Sequence, residues 1–89
     1  MSLDKYFQSL INRVESSDDI HNGGKDKNGF FKPTRTIVLR NLQLLKDLHP
    51  KPLAKQMVKT AWQAVVDELP AEWLLLPPEE KAQLKEILD

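Results

Sequence analysis

Residues 52–69, with the sequence PLAKQMVKTAWQAVVDEL, decide the fold. Their apolar side chains recur with the period of a helix and cover more than half of its circumference. These side chains are Leu53, Ala54, Met57, Val58, Ala61, Trp62, Ala64, Val65, Val66 and Leu69. A helix with so wide an apolar arc is normally packed on more than one side, so we expect a helix over 52–68 at the centre of the protein. Trp62 lies within this arc, which predicts that its side chain is buried.

The segment before it carries a second helical pattern, which we assign to residues 35–48. The apolar positions, which gather on one side of a helical wheel, are Ile37, Val38, Leu42, Leu44, Leu45 and Leu48. Thr34 or Thr36 can cap this helix. The prolines of residues 49–52 (HPKP) end it, because a proline disfavours helical dihedrals in the preceding residue. Asn41 falls inside the apolar arc, where it is either hydrogen-bonded in the core or set in a helix–helix interface.

Two further helices flank this pair. A stripe at helical spacing predicts a first helix over 3–16, with Ser2 as its cap; its members are Leu3, Tyr6, Phe7, Leu10, Ile11 and Val14. Prolines bracket residues 71–76, for which we expect one or two short helical turns. A last helix follows over 78–88, with an apolar edge and with acidic residues that we expect to be solvated.

The segment over 17–33 shows no helical period and holds all three glycines of the chain. The dipeptides Asn22-Gly23 and Asn28-Gly29 are turn signals. A short hairpin around Asn28-Gly29 is an alternative, but the flanking residues lack the alternation that is typical of strands. We therefore predict a long, mobile loop here.

These patterns predict an all-α protein: a small bundle of three main helices plus a short C-terminal helix, with 1–89 as a single domain. A chain of 89 residues has a small core, so dimerisation would help its stability. Cysteine is absent, which fits a reducing compartment. The longest apolar run, residues 73–76, is far shorter than the roughly 20 residues of a membrane span, and nothing resembles a secretory leader. A cytoplasmic protein is expected.

The formal charge is zero overall but is distributed unevenly. Residues 1–20 carry two cations and four carboxylates, for a net charge of −2, and residues 61–89 carry two and seven, for −5. Residues 21–60 carry nine cations and two carboxylates, for +7. Such segregation indicates either a surface that binds polyanions or two elements that attract each other within the fold.

Metal ions, cofactors and catalysis are not expected. Asp18, Asp19 and His21 supply too few ligands for a structural metal site. Residues 26–29 (DKNG) look like part of a calcium loop, but that register would make Gly24 the first ligand and Arg35 the last. The two histidines belong to no recognisable acid–base pair, and no nucleophile, phosphate-loop or metalloprotease motif is present. We expect a protein that is not an enzyme.

The leading functional hypothesis is a protein–protein interaction module or accessory subunit that binds another protein or itself as a homodimer. Its apolar helix faces would supply the contact. The run Trp73, Leu74, Leu75 and Leu76 is too apolar for an ordinary surface turn, so it either closes the end of the bundle or forms an exposed anchor. These four residues and Asn41 are the predicted partner-binding residues.

The alternative is a nucleic-acid-binding accessory protein that uses the basic stretch 25–59. Cations and two aromatic residues interleave there, a composition that could contact phosphates and stack on unpaired bases. The residues of this candidate site are Lys25, Lys27, Phe30, Phe31, Lys32, Arg35, Arg40, Lys55 and Lys59. Against it, Phe30 and Phe31 could dock the loop onto the core. One contiguous basic face would favour nucleic acid, whereas lysines neutralised by the acidic tail would favour a protein partner.

Overall fold

The computed structural model describes residues 2–25 and 27–88. Its four helices are α1 (Leu3–Ser16), α2 (Thr34–Leu48), α3 (Lys55–Glu68) and α4 (Pro78–Leu88). Short 3-10 turns at Pro52–Ala54 and Ala71–Trp73 precede α3 and α4. The predicted all-α fold is confirmed. The predicted helix limits agree with the observed ones except that α2 begins at Thr34 instead of residue 35 and that the third helix begins as a 3-10 turn.

The four helices form a closed arrangement in which α1 contacts α2, α2 contacts α3, α3 contacts α4 and α4 contacts α1. The core between them is filled by side chains from every helix. The largest apolar side chains that are fully buried are Phe7, Val14, Val38, Leu42, Leu45, Val58 and Val65. All six apolar positions of the α1 stripe are buried, and the Oγ of Ser2 accepts a hydrogen bond from the Lys5 N–H at 3.3 Å, as predicted for its cap.

The cap of α2 comes from the preceding loop, and the prediction of Thr34 or Thr36 as the cap is wrong. Pro33 occupies the capping position, and its side chain has no hydrogen-bonding atom. Asn22 takes this role instead: its Oδ1 accepts from the Thr36 N–H at 3.1 Å, and its Nδ2 donates to the Thr36 Oγ1 at 3.0 Å. An unsatisfied amide at the start of α2 thereby gains a partner fourteen residues earlier in the chain.

The apolar arc of α3 is less covered than its sequence predicts. Trp62 packs against the core with its ring 6.3 Å from that of Phe7, but it is only partly buried, so its burial is less complete than predicted. Leu53 is fully exposed and Met57 is 57% exposed, although both belong to the predicted packed arc. The reason is the number of neighbours, since α2 and α4 cover two flanks of α3 and the arc is wider than those flanks.

In α4, Glu80 is only 1% exposed, which corrects the expectation that the acidic residues of this helix are solvated. Glu80 lies one turn before Leu84, and residues four apart share a helix face. Because Leu84 is buried in the core, Glu80 points inward with it. Glu79 and Glu86 are exposed, as predicted.

The segment between α1 and α2 contains a small antiparallel ribbon of β1 (Gly24–Lys25) and β2 (Phe31–Lys32). Gly24 pairs with Lys32, and Lys25 pairs with Phe31. Gly29 has a φ of +85°, which a side chain rarely allows and which explains the glycine in this turn. The hairpin that the strand pattern argued against is therefore present. The predicted mobility of residues 17–33 remains a prediction, and Asp26, the first residue of the calcium-like sequence, lies outside the described residues.

Candidate functional site

A shallow groove of about 240 Å³ runs between α2 and α3 on the outside of the bundle. We call it the α2–α3 groove, and its lining residues are Asn41, Leu44, Gln56, Met57, Thr60 and Ala61. Each helix contributes residues three or four apart, which share one helix face. The apolar floor of the groove is formed by Leu44, Ala61 and Met57, and the side chain of Met57 is exposed to solvent.

Asn41 sits in this groove and is half-buried. Its Nδ2 donates a hydrogen bond of 2.8 Å to the carbonyl oxygen of Ile37, one turn earlier in α2. The amide is thus hydrogen-bonded to its own helix while it lies between two helices. Asn41 is therefore both hydrogen-bonded and placed between two helices, the two arrangements that the sequence left open.

Exposed apolar side chains extend the groove at the end where α3 begins. Leu53 lies four residues before Met57, on the turn that leads into α3, and both are exposed. Leu44 is half-buried opposite them. The sequence indicated this surface, because the apolar arc of α3 is wider than its neighbouring helices can cover. Periodicity alone does not tell which part of the apolar arc stays uncovered.

Exposed charges of both signs lie beside the groove. Lys59 and Asp67 line the neighbouring depression on α3, whereas Lys51 and Lys55 line a separate cleft with Glu86. Arg40 is one turn before Leu44, and the neighbouring depression shares Gln56 and Thr60 with the groove. The exposed carboxylate of Asp47 on α2 accepts a hydrogen bond from Gln43 at 3.1 Å.

The segment 73–76 lies elsewhere, against α1. Trp73 is buried, and the guanidinium of Arg13 covers its ring at 4.2 Å from the centroid. Leu74 and Leu76 are half-buried, whereas Leu75 is 76% exposed. Trp73 therefore closes the end of the bundle, and the structure does not bring this segment together with Asn41.

The ribbon carries the aromatic residues of the alternative site. Phe30 is 70% exposed and Phe31 is 65% exposed, so the expectation that they dock onto the core is wrong. Lys25 is paired with Phe31 across the ribbon, and paired residues project on the same face. Lys27 is exposed as well. Lys32 forms an ion pair with Glu68 at the end of α3, which fastens the ribbon to the bundle.

Arg35 has a structural role that the sequence did not indicate. Its guanidinium donates to three backbone carbonyls: that of Glu15 at 2.6 Å, that of Ser17 at 3.1 Å and that of Ile20 at 3.1 Å. The first two are at the end of α1, where helix carbonyls lack partners within the helix. Arg35 therefore connects the start of α2 to the end of α1 and to the loop.

The basic stretch forms two groups instead of one face. Lys25 and Lys27 belong to the ribbon, which is fastened to the end of α3 through Lys32 and Glu68. Lys55 and Lys59 lie in the first turns of the same helix. At about 1.5 Å per residue, Lys55 and Glu68 are roughly 20 Å apart along α3. Lys55 also lines a cleft together with Glu86 of the acidic last helix.

The described residues hold no group of three or more histidine, cysteine or acidic side chains that could bind a metal ion. The Nδ1 of His49 lies 3.0 Å from the Leu45 carbonyl oxygen and 3.1 Å from that of Lys46, so an Nδ1–H that donates to the end of α2 fits this geometry. Burial raises the pKa of Tyr6 to about 12. Over the part of the chain that the structure describes, no helix has the length and apolarity to cross a bilayer.

Among the described residues, two surface features stand out: the α2–α3 groove beside the exposed Leu53 and Met57, and the ribbon with its exposed aromatic residues. They are on different parts of the molecule and differ in chemistry. No protein-family model, curated protein or solved structure matches this chain.

Proposed function

We propose that the protein is a non-catalytic interaction module that binds a partner protein through the α2–α3 groove. The observation that carries this proposal is the exposure of Leu53 and Met57 beside a groove with an apolar floor. Exposed leucine and methionine side chains are unfavourable in water, and a partner that covers them removes this penalty. Burying such a side chain fully contributes about 1.5–3 kcal/mol, so the pair can contribute about a hundredfold or more in affinity.

The polar group in the groove does not oppose binding. A buried amide is costly when its hydrogen bonds are lost. Asn41 already donates to the Ile37 carbonyl within α2, so part of its hydrogen-bonding capacity is kept when a partner excludes water. A polar residue in this position also favours one register of the partner over others.

The test is affinity capture with nuclease-treated extract, using the full chain and two variants. Leu53→Gln with Met57→Gln removes the apolar rim, and Leu75→Gln changes a similarly exposed leucine on another part of the surface. We expect captured proteins to be lost with the double variant and retained with Leu75→Gln. Both variants should keep the thermal unfolding midpoint of the unmodified chain, because all three side chains are exposed. Capture that is the same with all three proteins would exclude the groove as the binding site.

A second candidate function is the binding of single-stranded nucleic acid by the ribbon, and the exposure of Phe30 and Phe31 favours it. Lys25 beside Phe31 places a cation and an aromatic face together, the combination that contacts a phosphate and stacks on a base. The site is small, since Lys32 is engaged with Glu68 and Arg35 with backbone carbonyls. Fluorescence anisotropy with labelled single-stranded and duplex oligonucleotides tests it, with Phe31→Ala as the variant.

A further inference from the structure

We infer that the turn of the ribbon is a site of spontaneous covalent modification, namely deamidation of Asn28 at the Asn28-Gly29 bond. Thr36, in turn, protects the second bond of this kind, Asn22-Gly23, from the same reaction. Asparagine is a chemically labile residue, and it is most labile before glycine, which has no side chain to hinder attack by its own backbone nitrogen. This modification is independent of the partner-binding function proposed above.

The reaction consumes water and needs no enzyme. The backbone nitrogen of Gly29 attacks the Cγ of Asn28, so that an N–Cγ bond forms, the nitrogen loses its proton to solvent, and Nδ2 takes up a proton and leaves as ammonia. Water then opens the resulting succinimide ring. Cleavage of the N–Cγ bond gives aspartate, and cleavage of the original peptide bond gives isoaspartate, in which the main chain runs through Cγ. Either product carries a carboxylate in place of a neutral amide.

The turn of the ribbon gives this reaction room. Asn28 and Gly29 are both exposed, so water reaches the bond between them. Gly29 has a φ of +85°, and among the described residues no atom lies within 4 Å of the place that a Cβ at this position would take. The ribbon that holds the turn is only two residue pairs long, and so short a hairpin has little stability of its own. The backbone can therefore rearrange to bring the Gly29 nitrogen to the Asn28 Cγ.

Asn22 also is exposed and precedes a glycine of positive φ, yet its side chain is fixed to α2. Its Oδ1 accepts from the Thr36 N–H at 3.1 Å, and its Nδ2 donates to the Thr36 Oγ1 at 3.0 Å. Both of these atoms are bonded to Cγ, so both hydrogen bonds must break before Cγ can turn towards the Gly23 nitrogen. For two hydrogen bonds of ordinary strength, this requirement slows the reaction by about tenfold or more relative to the unfolded chain.

The two sites differ in what the modification would do to the protein. At Asn28 it adds a carboxylate next to Lys27 and, as isoaspartate, lengthens a surface turn, which carries only a small penalty. At Asn22, isoaspartate would displace the atoms that cap α2. The contact with Thr36 therefore protects the position at which deamidation would disturb a helix.

Peptide mapping by mass spectrometry, during incubation of the full chain in mildly alkaline buffer, tests the inference because it measures residues 22 and 28 in the same sample. In the folded protein we expect Asn28 to deamidate about tenfold or more faster than Asn22. The same chain in a denaturing concentration of urea is the control. Both bonds are then Asn-Gly bonds without a cap, so the two rates should approach each other.

A pair of variants isolates the contribution of Thr36. Thr36→Val removes the hydroxyl that accepts from Asn22, so deamidation of Asn22 should become about two- to tenfold faster while that of Asn28 stays the same. Thr36→Ser keeps a hydroxyl and should keep Asn22 protected. Because Thr36 is exposed, both variants should fold, and equal thermal unfolding midpoints verify this.

Three results would overturn the inference. The first is deamidation of Asn22 that is as fast as that of Asn28 in the folded protein. The second is a ratio of the two rates that urea leaves unchanged, since the difference would then come from the local sequence instead of the fold. The third, equal rates at residue 22 in Thr36→Val and Thr36→Ser, would refute the protective role of Thr36.

Discussion

Replacing Arg35 by glutamine is expected to destabilise the protein far more than replacing the exposed Arg40 in the same way. Arg35 donates hydrogen bonds to the carbonyls of Glu15, Ser17 and Ile20, of which the last two are part-buried. Hydrogen bonds that involve a charged donor contribute about 1.5–3 kcal/mol each, and exposed ones contribute less. We expect a total loss of about 3 kcal/mol, which is a large share of the stability of a small domain.

Urea and thermal unfolding followed by far-ultraviolet circular dichroism measure this loss. For a domain of this size, about 3 kcal/mol lowers the melting temperature by roughly 12–24 °C. Arg40→Gln is the matched control, because it makes the same chemical change in the same helix and should alter stability by less than about 0.5 kcal/mol. Arg35→Lys should be intermediate, since an ammonium group cannot reach three carbonyls with the planar fork of a guanidinium. Equal unfolding midpoints for Arg35→Gln and Arg40→Gln would refute the structural role of Arg35.

Three other measurements probe the fold and the second candidate function. Trp73→Ala should lower the free energy of unfolding by about 3–5 kcal/mol, and Trp62→Ala should lower it clearly less, because Trp73 is buried and Trp62 is half-buried. The reverse order in urea unfolding would contradict this packing. Tyr6 is the single tyrosine, so absorbance near 295 nm should report its pKa of about 12. Because burial raises the folded pKa above 10.0, the contribution of Tyr6 to stability should be constant below about pH 10 and be lost as the pH rises towards 12; a titration midpoint near 10 in the folded protein would be inconsistent with burial. For single-stranded nucleic acid, the two exposed ribbon lysines predict a log–log salt slope of about −1.4, and Phe31→Ala should weaken the binding of single strands more than that of duplex; a slope near −5 would require cations beyond Lys25 and Lys27.

The helices could be predicted from the sequence because each carries a periodic apolar pattern. The α1 stripe is the clearest case, since all of its apolar positions are buried. The pattern of α3 overpredicted burial, because an apolar arc shows which side chains favour burial and not how many neighbours exist to cover them. The pattern therefore predicts burial for Leu53 and Met57, although both side chains are exposed beside the groove.

Contacts between distant residues could not be predicted in this way. Asn22 and Thr36 are fourteen residues apart, and Arg35 and Glu15 are twenty apart. Nothing in the local sequence distinguishes Arg35, which binds backbone carbonyls, from Arg40, which faces solvent. The basic stretch looks continuous in the sequence for the same reason, whereas in the structure Lys55 and Lys59 lie in the first turns of α3 and the ribbon lysines are attached through Lys32 at its other end.

The attachment of the first loop has a practical consequence for engineering. Asn22 and Arg35 fix its beginning to α2, and Lys32 fixes its end to α3, so length changes near these residues would disturb three helices. Residues 27–29, at the turn of the ribbon, lie between those attachments and are exposed. Lengthening a surface turn carries only a small entropic penalty. This turn is therefore the position at which an epitope or a fluorescent reporter can be inserted while Leu53, at the other end of α3, stays accessible to a partner.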